Sequence, residues 1–575
     1  MNQETSFSIV GSGGDGAVAA GDIAAMACAA DGLHVIKTEA YGPQIRGGES
    51  SCTVRISSAP IFAQAGAVDA LVIFSWSDFA RFASEITPAP DGIIFYEADD
   101  APPDNTTGTL VPISFTKLAP KSKNILALGV IAPLLGLPLG KVRSAIRQRF
   151  AKKAQAIIDA NLAAFDQGIA LSPSASKSLR KLEYTAGPAH LVMSGNEAAA
   201  VGAIQAGCTF FAGYPITPSS EVLHLLGEWL PKIGGTSLQT EDELSAIGAV
   251  IGASFAGAKS MTATSGPGLS LMSEMLGLSS IAEIPSVIFN VQRGGPSTGI
   301  PTKSEQSDLL HSLYASHGDT PRAVLACCDV EDAFHTTVEA FNISEEFQVP
   351  VIVLSDQLIA QRRETIEASS LVHDVVQRKL AVPEGDGDYR RYLDTPDGVS
   401  PMTVPGIAGG MYQTNGLEHD EVGRPNAGFV VHEKMNAKRY RKMDAIAKKY
   451  KLFRKFGSEK PDLGILCWGS SSGPVREAID ALNVSDLKAG AFVPRILSPL
   501  PVAEMQEFIN SSGQILIVEL SHSEQFHQYL RSQLDLPRAK TRVLARSGGK
   551  SLAVAEVIEA VQELFGARRL EEVLA

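Results

Sequence analysis

Along this chain, runs of β-branched and apolar residues repeatedly stop at a glycine-rich turn. SFSIVG runs into GSGGDG and then the alanine-rich AVAAGDIAAMAC; KSMTATS ends in Gly266-Pro267-Gly268 before a helical stretch to Ala282; SVIFNV runs into QRGGPSTG. A strand, a tight turn and a helix in that order is what carries a chain from one parallel strand to the next, so the repetition demands an α/β architecture of parallel sheets. It also puts the glycine turns at strand C-terminal ends, where open α/β sheets bind ligands. At about 150 residues per domain, 575 residues require roughly three or four cores.

Composition narrows the function. With 45% apolar and 20% charged residues the chain is an ordinary globular protein, which sets aside disorder and disulfide scaffolds. A net charge of -13 and only 6% aromatic residues argue against a nucleic-acid partner, which needs a basic field and stacking platforms. Cys28, Cys52, Cys208, Cys327, Cys328 and Cys467 show no C-x-x-C spacing, so neither a metal site nor a cluster ligand set is expected on this chain. The start MNQETSFSIVGSGGDG lacks the basic head and apolar stretch of a signal peptide, and the apolar run Ile125 to Gly140, broken by Pro133 and Pro138, is shorter than the ~18 residues of a membrane span. A cytoplasmic protein without a membrane segment is the expectation.

The pattern divides into four regions. Residues 1–181 open with a βαβ start, strand SFSIVG, helix, strand LHVIKTE, and continue through a helical run from Lys141 to Asp166 to a polar linker from Ser172 to Lys181. Residues 182–373 hold the second α/β block. Residues 374–457 lose periodicity in EGDGDYRRYLDTPDGVSPMTVPG and end in a basic amphipathic helix with Met435, Met443, Ile446, Tyr450 and Phe453 on one face, its lysines and arginines read as solvated. Residues 458–575 form a last small α/β unit with strands LGILCWG, AFVPRIL and QILIVEL.

Three motifs carry chemistry. Gly11-Ser12-Gly13-Gly14-Asp15-Gly16 fits G-x-G-x-x-G between strand and helix, with Glu39 at the distance of a ribose-binding acid, and reads either as an anion site or as a structural turn. Gly385-Asp386-Gly387, followed after 27 residues by Asn415, satisfies the G-D-G…N diphosphate signature, but its flanks VPE and DYRRYLDTPDG lack the strand and helix that must converge on a metal, so it reads as coincidence. The third is a constellation: Tyr214-Pro215-Ile216-Thr217-Pro218, Glu243 in QTEDELSAIGAVIGAS, and Arg293 with Thr302 in QRGGPSTGIPT. Glu241, Asp242 and Glu243 can be a helix N-terminal acid cluster favoured by the macrodipole. Glu243 alternatively leads into a small-residue helix that buries tightly, where desolvation raises a carboxyl pKa. Arg293 is either a loop cation or a bidentate fork for a substrate carboxylate.

Together these residues resemble the large subunit of the 2-oxoacid:ferredoxin oxidoreductases, in the form whose gamma and alpha parts are fused, and the 2-oxoglutarate enzyme in particular. GSGGDGAVAAGDIAAMAC with YGPQIRGGESSCTVRIS is similar to the gamma domain, GYPITPSSE, SGPG and QRGGPSTGIPT to the pyrimidine-side thiamine diphosphate domain, VSPMTVPG and TNGLEHDEVGRP to the family's arm, and the last unit to the transketolase C-terminal domain. The resemblance implies that Tyr214, Pro215, Ile216, Thr217 and Glu243 bind the cofactor and that Thr217, Arg293 and Thr302 bind substrate. Arg293 would take the 2-oxoacid carboxylate, Thr302 would assist at the reacting carbon, and Glu243 would donate to N1′ of the aminopyrimidine, favouring the imino tautomer whose 4′-nitrogen removes the C2 proton. It implies catalysis by Glu243, Thr217, Arg293 and Thr302 in reversible, coenzyme A-dependent decarboxylation of 2-oxoglutarate to succinyl-CoA. Mg²⁺, diphosphate and a [4Fe-4S] cluster would sit on a beta subunit that passes electrons to ferredoxin, in a dimer of heterodimers. Pyruvate or a branched-chain 2-oxoacid is the alternative substrate; a dinucleotide-dependent dehydrogenase resting on the Gly11 turn, or a noncatalytic scaffold, is the alternative function.

Overall fold

The computed structural model of the chain describes its residues other than 1–2, 43–47, 105, 174–178, 180, 384–388, 485–486 and 566–575. Gly385-Asp386-Gly387, the 43–47 segment of the gamma-like motif and most of the polar linker therefore lie outside the described residues. Two compact units form, one from residues 1–194 with 361–370 and 553–556, the other from 195–360, 371–552 and the C-terminal segment from Val557.

The first unit is built on eight strands in the order Thr109–Ile113, Pro88–Glu97, Val68–Ile73, Glu4–Ser12, Glu49–Ser57, His34–Tyr41, Arg363–Ile366, Leu191–Ser194. The first four are parallel, but Glu49–Ser57 runs antiparallel to both Glu4–Ser12 and His34–Tyr41 and separates them. The expected βαβ start is thus split by a third strand, and the crevice a dinucleotide fold would open beside Glu4–Ser12 is occupied by a hydrogen-bonded neighbour. Glu39 is engaged as well: its carboxylate accepts from Lys37 Nζ and Tyr41 Oη. In the Gly11 turn, Asp15 accepts the Ser12 N–H (2.9 Å) and pairs with Lys123 (2.7 Å), so a protein carboxylate already takes one backbone donor and the lysine there.

The apolar run starting at Ile125 is a helix, Lys123–Leu135, buried on nearly all sides rather than in lipid. It crosses Gln155–Leu171 through paired glycines: a Cβ at Gly129 would stand 2.2 Å from Phe165 O, and one at Gly168 2.2 Å from Leu126 O. This crossing explains why the expected helix Lys141 to Asp166 is two helices, Leu139–Arg149 and Gln155–Leu171: the chain must turn between them to bring the second onto Lys123–Leu135. No helix among the described residues is long and apolar enough to cross a membrane.

The second unit contains a seven-stranded sheet ordered Ile496–Ser498, Ala323–Ala326, Pro350–Asp356, Ser286–Gln292, Ser260–Thr264, Phe210–Gly213, Thr236–Gln239, parallel except for the first, and a five-stranded sheet ordered Phe453–Gly457, Ala489–Pro494, Leu463–Cys467, Gln514–Glu519, Thr541–Ala545. Ile288 and Ile352 of one sheet and Leu466, Phe492 and Ile517 of the other join one buried cluster with Trp468. AFVPRIL is not one strand: it breaks at Arg495, whose guanidinium meets the buried carboxylates of Asp332 and Glu339 at 2.7 Å each, and Ile496–Ser498 crosses to the other sheet.

The arm's helix, Phe429–Lys449, departs most from its sequence reading. Lys438, Arg439 and Lys442 are buried, not solvated. Lys438 Nζ lies 2.7 Å and Lys442 Nζ 2.5 Å from Glu283 Oε2, and the Arg391 guanidinium donates to the Glu283 carbonyl (2.6 Å). A helix with too few apolar residues for its length is seated by charges converging on one carboxylate.

Candidate active site

Three loops at the C-terminal ends of parallel strands build the site. After Phe210–Gly213 comes Tyr214 to Pro218, with Tyr214 and Pro215 exposed and Ile216 and Thr217 half-buried. Asn196, fully buried, fastens this loop by donating Nδ2 to Pro218 O and to Glu221 Oε2 (3.0 Å each), while Ser219 Oγ donates to Ile216 O (3.0 Å).

Glu243 is the first residue of the helix Glu243–Phe255. The capping work expected of an acid there is done by its neighbour: Asp242 accepts the Ser245 N–H at 2.7 Å, which holds the Asp242 carboxyl below its ordinary pKa. With the cap supplied, Glu243 turns inward and is 5% exposed, and burial pushes its carboxyl above the usual carboxylate range. It packs on the turn after Ser260–Thr264. A Cβ at Gly268 would fall 2.5 Å from Glu243 Oε1 and 2.1 Å from Thr264 Oγ1, so only glycine admits the carboxyl.

Arg293 follows directly on the fully buried strand Ser286–Gln292 and is itself 7% exposed. Its Nη1 donates to Thr217 O (2.5 Å), joining the first loop to the third; its Nε is buried without a hydrogen-bond partner. Burial lowers its pKa and the field of Asp308 raises it. The loop beyond folds back, Ile300 N–H to Gly294 O (2.8 Å) and Gly294 N–H to Lys303 O (3.0 Å), which returns half-buried Thr302 toward Gly294.

The sequence reading missed the residues that bind these loops together. Asp308 presses its carboxylate on Gly266, 2.9 Å from where a Cβ would stand, accepts from Asn290 Nδ2 (2.9 Å), and donates its own N–H to Gln292 Oε1 (3.1 Å). Gln306, fully buried, accepts the Leu520 N–H (2.9 Å) and donates to Trp468 O (2.7 Å), anchoring the third loop to the five-stranded sheet. Their only sequence signal is the polar run KSEQSD just before an apolar helix. The structure thus links Thr217 to Arg293 directly, and sets Glu243 and Asp308 against the same Gly266-Pro267-Gly268 turn.

Can this surface take a thiamine-type cofactor? The donor set fits: a desolvated carboxyl that holds a proton readily, a turn stripped of side chains, and buried polar atoms without partners at Ser265 Oγ, Asn290 Oδ1 and Arg293 Nε. A metal is not similarly provided for; among the described residues no group of three His, Cys, Asp or Glu side chains is placed to hold one.

Comparison with known proteins shows the family. Residues 201–438 match the family described as pyruvate flavodoxin/ferredoxin oxidoreductase, thiamine diphosphate-binding; residues 6–171 match pyruvate ferredoxin/flavodoxin oxidoreductase; residues 461–557 match pyruvate:ferredoxin oxidoreductase core domain II. The 2-oxoglutarate synthase subunit KorA of Methanothermobacter marburgensis is 37% identical over 62% of this chain and 94% of its own length, and the 2-oxoacid:ferredoxin oxidoreductase subunit alpha of a Sulfolobus species is 30% identical over 89% and 90%. The solved 2-oxoglutarate:ferredoxin oxidoreductase of Magnetococcus marinus, with 2-oxoglutarate, coenzyme A and succinyl-CoA bound, is 36% identical with a TM-score of 0.92 over 98% of this chain and 100% of that one. The fold and the family matches define a thiamine diphosphate-binding oxidoreductase subunit. The chain belongs to the 2-oxoacid:ferredoxin oxidoreductase family, as an alpha subunit.

Proposed function

We propose that this chain is the alpha subunit of an enzyme that oxidises 2-oxoglutarate with coenzyme A to succinyl-CoA and CO2, two electrons leaving through a beta subunit to ferredoxin, and that the reaction runs in both directions. The observation that carries the reading is Arg293: a guanidinium buried at a strand end beside the Thr217 loop, with one nitrogen unpartnered, suits an anionic substrate. That the substrate is 2-oxoglutarate is supported by the names of similar proteins, KorA and the Magnetococcus marinus enzyme among them.

When bound, thiamine diphosphate supplies a nucleophilic carbon and an electron sink for the decarboxylation. The chain's own groups do the rest. Glu243 holds a proton on its carboxyl and presents it to N1′ of the aminopyrimidine. Arg293 takes the 1-carboxylate of the 2-oxoacid, and Thr217 and Thr302 bracket the reacting carbon with hydroxyls, Thr217 held in place through its own carbonyl by Arg293. Tyr214, Pro215 and Ile216 wall the cofactor. Tyr214, Leu244, Leu271 and Ile300 are large apolar side chains 41–47% exposed on the very elements that carry these groups, which suits a surface completed by a second subunit bearing the diphosphate, Mg²⁺ and a [4Fe-4S] cluster, in a dimer of heterodimers. On this reading the boundaries at 182, 374 and 458 separate a gamma-like domain, the pyrimidine side, the arm and a transketolase-like C-terminal domain.

The test is turnover. The chain co-produced with a beta subunit of the same family should reduce ferredoxin with 2-oxoglutarate and coenzyme A and release succinyl-CoA, with pyruvate and branched-chain 2-oxoacids as comparison substrates. Equal or faster turnover of pyruvate would replace the substrate; none on any 2-oxoacid would refute the proposal.

A further inference from the structure

We propose that Glu305 is a positioning residue for the loop that joins Arg293 to Thr302: its carboxylate, lying against Gly294 and accepting the Gly548 N–H, sets that loop on the C-terminal strand ends of the five-stranded sheet. The proposal rests on the reading of Arg293 and Thr302 given above and deepens it.

Between Arg293 and Thr302 the chain has three glycines and two prolines, and residues 295–300 are exposed. Its backbone bonds, Gly294 N–H to Lys303 O (3.0 Å), Ile300 N–H to Gly294 O (2.8 Å) and Lys303 N–H to Ile300 O (3.2 Å), close the neck of the loop on itself. What fixes that neck in space comes from the other sheet. In an open parallel sheet the C-terminal strand ends are where ligands bind. Strands Leu463–Cys467, Gln514–Glu519 and Thr541–Ala545 lie side by side and parallel, and polar groups just past their ends are spent on the chain itself. Trp468 O and both backbone groups of Leu520 take Gln306, and the Gly548 N–H takes Glu305. Gln525 adds two bonds, accepting the Leu310 N–H (3.0 Å) and donating to Ser307 O (2.7 Å). Residues 305–310 thus fill the place of a ligand. Glu305, 8% exposed, reaches from there back to the neck: its carboxyl carbon is 3.6 Å from where a Cβ at Gly294 would stand, and Oε1 accepts the Gly548 N–H at 2.8 Å. Gly549 closes in beside it, since a Cβ there would fall 2.2 Å from Lys303 Cβ, one residue past Thr302. A guanidinium and a hydroxyl that must meet the same substrate lose rate steeply when misplaced, ~10²-fold for 1 Å, so the seating of this neck bears on turnover.

Glu305→Met keeps the length and fills the space against Gly294 but offers Gly548 no good acceptor, whereas Glu305→Gln keeps an oxygen there and removes only the charge. In the holo-complex Glu305→Met should lower kcat/KM for the 2-oxoacid at least about tenfold. Its melting temperature should stay within about 3 °C of the wild type, the loss being one hydrogen bond in a long chain. Glu305→Gln should restore kcat/KM to within about threefold of the wild type, because the Gly548 N–H again has its acceptor. A second readout needs no turnover. In the free chain, hydrogen–deuterium exchange of the Gly294, Ile300 and Lys303 amides should quicken at least about threefold in Glu305→Met and return to the wild-type rate in Glu305→Gln, with the Gln306 and Leu520 amides unchanged in both. Wild-type kinetics or exchange in Glu305→Met, or a Glu305→Gln as impaired as Glu305→Met, overturns the proposal; so does an activity loss accompanied by a larger fall in melting temperature. If the wild-type complex turns over no 2-oxoacid, the proposed function fails and exchange alone decides whether Glu305 holds the loop; equal exchange in all three proteins then overturns that role.

Discussion

Glu283 and its three cations make an asymmetric prediction. The carboxylate is 1% exposed and faces Lys438, Lys442 and Arg391, so one negative charge serves three positive ones, all buried. Burial alone would raise its pKa; the cations outweigh that and hold it well below the carboxylate range. Lys442 bears the cost, since burial and the neighbouring cations pull it down to about 7 against the pull of Glu283. Glu283→Gln leaves three cations without an anion and should cost ~3–5 kcal/mol, the loss seen when one partner of a buried pair is removed. At roughly 2 °C per kcal/mol for so long a chain, the melting temperature should fall by about 6–10 °C at pH 7. Lys442→Met forfeits a 3.1 Å hydrogen bond to Gln348 O, worth about 1 kcal/mol, and the 2.5 Å contact with Glu283, which keeps Lys438 and Arg391, but relieves the burial cost of a third cation and its repulsion by the other two, of similar or larger size. It should melt within about 2 °C of the wild type, or above it. The pH dependence follows from sign. Lys442 has a lower pKa folded than unfolded (~10.4), so its penalty is full below about 7 and fades as pH rises toward 10. The advantage of Lys442→Met should therefore be greatest near pH 6 and shrink toward pH 9.5. The Glu283 contribution is present above about pH 4–5 and is lost in acid, as the carboxyl becomes protonated. Thermal melts of both variants at pH 6, 8 and 9.5 give the comparison. If Lys442→Met falls as far as Glu283→Gln at pH 6, the cluster is balanced rather than over-charged and the reasoning fails.

Glu243→Gln should lower turnover by at least about 100-fold with the αβ complex still assembled, since the amide fills the same space but cannot present the acidic proton; thiamine C2–H exchange in the reconstituted complex should slow in step. Arg293→Ala should lower kcat/KM for 2-oxoglutarate by at least ~30-fold, about 2 kcal/mol at 1.36 per tenfold, and by a like factor for pyruvate, with Lys restoring part and Thr302→Ala costing less; kinetics on both substrates check it. Gly268→Ala puts a methyl where Glu243 Oε1 and Thr264 Oγ1 leave no room, so thiamine diphosphate retained by the complex after gel filtration should drop about tenfold or more.

The elements nearest the site were legible because both their signals are local. Ser260–Thr264 and Ser286–Gln292 read as strands from β-branched content, and the turns after them from glycine. What escaped was non-local. Nothing in ESSCTVRIS says that it inserts antiparallel between Glu4–Ser12 and His34–Tyr41, because strand order is decided by which edges remain open once the helices have packed. The lysines of Phe429–Lys449 look solvated because charge patterning assumes water as the partner; the single buried glutamate that reverses this lies more than 150 residues earlier in the chain.

The acids at 241–243 show the limit most sharply. Before folding, Asp242 and Glu243 are interchangeable as helix-start carboxylates, and the macrodipole favours both. Once Asp242 takes the Ser245 N–H, the cap is filled, and the 100° step to the next residue points Glu243 at the Gly268 turn. The shorter side chain suits the cap, where the acceptor must reach back to a nearby N–H; the longer one suits the cleft, where a carboxyl must extend past its own helix end. Exchanging the pair, Asp at 243 and Glu at 242, would conserve composition and charge while weakening both contacts. The order of the two acids, rather than their number, is what joins the helix start to the chemistry beside it.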